Sequence, residues 1–161
     1  MARVLVIGYG NPLRNDDGLG WRVAEAMAAN DHAPDVDILK CHQLTPELAT
    51  PISQADLVVF VDAAETSAES KAPGDIVERD LQPECKSPGC FSHDLTPSTL
   101  LACSAELFGS SPRAKLFSII GAEFGMGETL SPVVERSLPE LIRRIRECMQ
   151  ASRNCYAPFT R

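Results

Sequence analysis

No apolar run in this chain of 161 residues approaches the roughly 18 consecutive residues a membrane span requires. Cations are also in the minority. Lysine and arginine number 15 against 22 acids, giving a net charge of −7 and a pI of about 4.9. That balance argues against nucleic acid or an anionic membrane surface as the main partner. The basic cluster that does exist, Arg143-Arg144-Ile145-Arg146, reads as a solvated helix face. No signal peptide is expected either, since only one positive charge precedes the four apolar residues near the start. The six cysteines (Cys41, Cys85, Cys90, Cys103, Cys148 and Cys155) are therefore expected as thiols in a reducing cytoplasm. There is no internal repeat or linker, so residues 1–150 are expected to form a single domain, with 151–161 as a C-terminal tail.

What the chain does contain is an alternation of strand and helix signals. Val4–Ile7 and Leu57–Val61 are continuous apolar runs, the pattern of strands covered on both faces of a parallel sheet. Val36–Cys41 and Leu116–Ile120 read as further strands, and Asp75–Arg79 as a short one. Helical spacing follows at about 18–30, with Leu19, Val23, Ala26 and Met27 on one face. Further helices open at Thr45-Pro46, Thr96-Pro97 and Ser131-Pro132, each with a capping hydroxyl before a proline at the first helical position. Gly109 marks the stop of the third helix. These signals predict an α/β fold of three layers, a twisted, mostly parallel sheet flanked by helices on both faces. In such folds ligands bind beyond the carboxyl ends of the strands.

The turn after the first strand, Gly8-Tyr9-Gly10-Asn11-Pro12-Leu13-Arg14-Asn15-Asp16-Asp17-Gly18, stands at that edge. A glycine turn before a helix commonly cradles phosphate, because helix N-termini attract anions. Here two acids fill the position themselves. Leu13 replaces the third glycine of a dinucleotide motif, and Lys40-Cys41-His42 stands where its ribose-binding acid would be. No nucleotide cofactor is expected. The same edge also receives Asp62, at the end of the central strand, and His93, at the end of the long loop over 63–92. Two carboxylates and an imidazole suit a borderline divalent ion such as nickel, zinc or cobalt, and three ligands leave positions open for substrate. Asp16 reads as a helix cap. A thiol-based zinc site at Cys85, Cys90 and His93 is the weaker alternative, lacking an evident fourth ligand. No G-x-S-x-G elbow is present for a serine nucleophile.

With these residues in view, the sequence resembles the hydrogenase maturation proteases along nearly its whole length. The likeness rests on Gly8-Tyr9-Gly10-Asn11, Asp16-Asp17-Gly18-Leu19-Gly20, Val61-Asp62-Ala63, Ser92-His93-Asp94-Leu95-Thr96 and Gly127-Glu128-Thr129-Leu130-Ser131-Pro132-Val133-Val134. The resemblance implies an endopeptidase that removes the C-terminal extension of a nickel–iron hydrogenase large-subunit precursor after nickel insertion. It implies Asp17, Asp62 and His93 as the residues that contact the metal and carry the catalysis, with nickel delivered by the substrate. The expected protein is a monomer whose partner is that precursor. A non-catalytic nickel chaperone or assembly factor using the same three residues is the alternative. The Cys85–Cys90 loop and the tail match no motif of that family.

Overall fold

The computed structural model of the chain describes residues 2–66, 71–85 and 95–155. Five strands form one sheet: β1 (Val4–Tyr9), β2 (Val36–Cys41), β3 (Leu57–Ala64), β4 (Ile76–Leu81) and β5 (Arg113–Ile120). Their order is β2-β1-β3-β5-β4, and all pairs are parallel except β4 against β5. The helices are α1 (Leu19–Asn30), α2 (Ala49–Ser53), α3 (Pro97–Phe108) and α4 (Pro132–Cys155). Single 3-10 turns over Asn15–Gly18 and Pro46–Leu48 lead into the first two. The expected α/β architecture is thus the observed one.

The continuous apolar runs occupy the sheet interior because each of their faces has its own core to meet. Val4, Val6, Val59 and Val61 pack with Leu19, Val23 and Met27 of α1 and with Val134, Leu141 and Ile145 of α4. Leu5, Ile7, Val58 and Phe60 turn the other way and pack with Ile52 of α2 and Leu100 and Leu101 of α3. Burying a leucine or phenylalanine side chain this way is worth roughly 2 kcal/mol before conformational entropy is charged against it. The limits of α3 are set locally. Thr96 and Thr99 form a reciprocal capping box, and Gly109 leaves the helix in the left-handed conformation at φ 65°.

The short strand expected at Asp75–Arg79 is β4, displaced to Ile76–Leu81, and β3 runs on to Ala64, beyond the expected end at Val61. One element departs further from the sequence reading. The last helix continues to Cys155, so residues 151–155 are helical rather than tail; Ser152 is buried there and Arg153 is paired with Asp35 at 2.7 Å. Residues 156–161 lie outside the described residues. Arg143, Arg144 and Arg146 are taken up by Glu140, Glu147 and Asp31 at the surface, as a solvated face requires.

One close approach seats α1 on the sheet. A Cβ at Gly20 would fall 2.5 Å from the Tyr9 nitrogen and 2.6 Å from the carbonyl oxygens of Tyr9 and Val61, all main-chain atoms that cannot step aside. The helix therefore starts directly over the ends of β1 and β3, which carries its leading turn above the carboxyl edge. Gly20→Ala is expected to destabilise the protein by about 3 kcal/mol, at the upper end of ordinary overpacking costs. Urea unfolding measures this, and a variant of wild-type stability would contradict the packing described.

Candidate functional site

Register places four polar side chains in one row across the carboxyl edge. Cys41 of β2 pairs with Tyr9 of β1, and Asp62 of β3 pairs with Ser118 of β5. The pairing of Gly8 with Val61 puts Tyr9 beside Asp62. Asp62 is the centre of the row: its Oδ2 accepts from the Tyr9 hydroxyl at 2.7 Å and its Oδ1 from the Ser118 hydroxyl at 2.6 Å. Burial is the strongest influence on this carboxyl and lifts it above the usual aspartate range. The Ser118 and Tyr9 hydrogen bonds and the Arg79 charge oppose that rise, whereas the Asp17 charge adds to it. Burial, with the neighbouring Asp62 carboxylate, also pushes the Tyr9 phenol upward, so Tyr9 holds its proton.

Asp17 reaches the same place from above, on the 3-10 turn. It is half-buried, and its Oδ2 accepts from the Asn11 main-chain N–H at 3.0 Å. Gly10, at φ 137°, makes this possible, since a side chain there would run into the Asp17 carbonyl. The 3-10 turn that carries Asp17 packs against β3, and the Asp17 charge adds to the upward push on both Asp62 and Tyr9. The third candidate, His93, lies outside the described residues, as do Cys90 and the motif around Ser92 and Asp94. Among the described residues no group of three or more His, Cys, Asp and Glu side chains could hold a metal. Among the described residues, Cys41, Cys85, Cys103, Cys148 and Cys155 form no disulfide.

Asp16 is not the helix cap its position suggested. Arg14 is the capping residue of the 3-10 turn, and no side chain makes a capping hydrogen bond there. Asp16 is fully buried instead. It accepts from the main-chain N–H of Ala122 (2.8 Å), Glu123 (2.9 Å) and Ser131 (2.7 Å) and from the Ser131 hydroxyl (2.8 Å). Burial pushes its carboxyl upward, but these donors outweigh it and hold the group below the usual range. The contact is part of a zip between two loops. Asn15 N–H donates to the Gly127 carbonyl at 2.8 Å, Gly127 N–H to Leu13 at 2.9 Å, and Asp16 N–H to Glu123 at 3.0 Å. The glycine-rich turn at 121–131 thereby braces the turn that carries Asp17.

Sequence reasoning missed Tyr9, Ser118 and Ser131. Only Ser131 had a local signal, as the serine of the motif preceding the last helix. A cleft of about 670 Å³ opens elsewhere, between β4, β5 and α4, and is lined by Glu78, Asp80, Lys115 and Cys148 rather than by any of the acids above. Lys115 is already engaged there with Glu78 at 2.6 Å and Asp80 at 3.5 Å.

No family model matches the chain. Among curated proteins it is similar to the hydrogenase 2 maturation protease of Escherichia coli K12, with 25% identity over 157 residues, covering 90% of this chain and 92% of that one. Among solved structures, the maturation protease HycI of Thermococcus kodakarensis KOD1 superposes with a TM-score of 0.73 at 27% identity, covering 92% and 93% of the two chains. The maturating endopeptidase HybD of Escherichia coli shares the fold with a TM-score of 0.75 at 23% identity, over 93% of both chains. In each case the likeness covers at least nine-tenths of both chains.

Proposed function

Proceeding from this likeness to hydrogenase maturation proteases, we propose that the chain is the endopeptidase that trims the C-terminal extension from a nickel–iron hydrogenase large-subunit precursor. Nickel enters as part of the substrate, and Asp17, Asp62 and His93 grip it. The reading is supported by the packing of the 3-10 turn that carries Asp17 against the strand that carries Asp62, at the carboxyl edge of the sheet. Carboxylate oxygens with an imidazole nitrogen form a donor set suited to a borderline divalent ion. A nickel-loaded precursor docked on them would hold its scissile bond over the edge, where the ion can polarise the carbonyl or the attacking water. One water is consumed and two chain ends are released. In this reading the protein works as a monomer in the cytoplasm. No helix among the described residues is long and apolar enough to cross a membrane.

Incubation with nickel-loaded precursor, followed by intact-mass measurement, tests this. The precursor is expected to lose the mass of its extension, and nickel-free precursor to remain intact. Binding without mass loss would make the protein a chaperone. Steady hydrolysis of unrelated peptides without nickel would make it an ordinary protease.

A further inference from the structure

Ser118 is a buried hydroxyl in a stretch of β5 that otherwise carries Phe117, Ile119 and Ile120 into the core. Its hydroxyl donates to Asp62, and the Tyr9 hydroxyl donates to the other oxygen of the same carboxylate. The two donors come from the strands on either side of β3, so three adjacent strands fix one functional group. Tyr9 is itself held in place. Its ring stands edge-on to Phe60, with centroids 6.5 Å apart and planes at 85°, and Phe60 is fully buried. A carboxylate with a donor on each oxygen has lost its freedom to rotate, yet each oxygen keeps a second lone pair for a ligand.

We propose that Tyr9 and Ser118 are positioning residues, which lock the Asp62 carboxylate in the orientation that receives the substrate's metal-bearing end. This rests on the function proposed above. Ligand-orienting hydrogen bonds of this kind are commonly worth 10–100-fold in affinity or activity. They are most effective when mounted on strands rather than loops, which is the case here. The last residue of β1, between Gly8 and Gly10, is therefore part of the site in this chain, because its hydroxyl donates across to β3, which no apolar side chain can do.

The test compares Tyr9→Phe and Ser118→Ala with the wild type in processing of nickel-loaded precursor, alongside precursor binding and thermal melting. Each variant removes one hydroxyl. Each is expected to lose at least tenfold in kcat/KM, chiefly through a raised KM, while melting close to the wild type. Binding of nickel-loaded precursor is expected to weaken on Tyr9→Phe in the native chain but not when Asp62→Asn is already present, since the clamp then has no carboxylate to orient. Variants that process at the wild-type rate would overturn the proposal, and so would an equal loss of binding in the Asp62→Asn background. If the wild type itself leaves the precursor intact, the functional reading fails and the proposal fails with it. If the wild type shortens the precursor and both variants keep pace, only the positioning role is lost.

Discussion

Asp62→Asn is expected to give a protein that is inactive and yet more stable than its parent. Processing of nickel-loaded precursor should fall by at least 100-fold, since the variant lacks the charged oxygen that the ion would contact. Stability should move the other way. The Asp62 carboxyl titrates higher in the folded protein than in the unfolded chain, mainly because it is buried. Between the two values the folded state holds a proton that the unfolded state has released, so stability declines as pH rises through that window. Above it, the ionised group is a standing cost. Asparagine removes the charge and keeps an oxygen and an amide group to meet the hydroxyls of Tyr9 and Ser118. A gain on the order of 1 kcal/mol at pH 7 is expected in urea unfolding, disappearing below about pH 4, where the native carboxyl is protonated in both states. A variant less stable than the wild type at pH 7 would mean that the carboxylate is held for the fold and not for function. Asp17→Asn, half-exposed and less constrained, should share the loss of activity without the gain in stability.

Asp16→Ala is expected to cost about 3 kcal/mol or more, although Asp16 adjoins a candidate catalytic residue and has no contact with substrate in this reading. The substitution strands the N–H groups of Ala122, Glu123 and Ser131 and opens a void where a fully buried carboxylate stood. The pH dependence has the opposite sign from that of Asp62. The folded carboxyl titrates below its unfolded value, so its contribution is complete above the ordinary aspartate range near pH 4 and is lost as pH falls through the folded value. Urea midpoints at pH 7 and pH 3 should show the wild type and Asp16→Ala converging in acid. A gap of equal size at both values would refute the assignment of the charge as the stabilising element.

The two neighbouring acids thus have opposite assignments, and nothing local in the sequence separated them. Position was legible: the apolar run of β3 ends on Asp62, and a glycine turn delivers Asp17 to the same edge, because continuous burial and chain punctuation are local properties. The limits of α3 were legible for the same reason, in Thr96 and Gly109. The role of Asp16 was not, because its partners stand 106 to 115 residues away and its own neighbourhood looks like any acidic first turn. Tyr9 and Ser118 were hidden for a related reason. A tyrosine beside a glycine and a serine in a strand acquire meaning only once strand order and register bring them to Asp62. The extension of α4 to Cys155 depended on a tertiary ion pair, Arg153 with Asp35, that composition alone does not disclose.

The bond between Asp16 and Ser131 also sets a schedule. During synthesis the turn with Asp17, the strand with Asp62 and the strand with Ser118 all emerge before Ser131 does. Until that residue arrives, Asp16 lacks two of its donors and the turn above the sheet edge has lost its anchor. A half-made copy therefore carries Asp17 and Asp62 without the brace on the turn, and the sheet edge is fully framed only once the start of the last helix has been added.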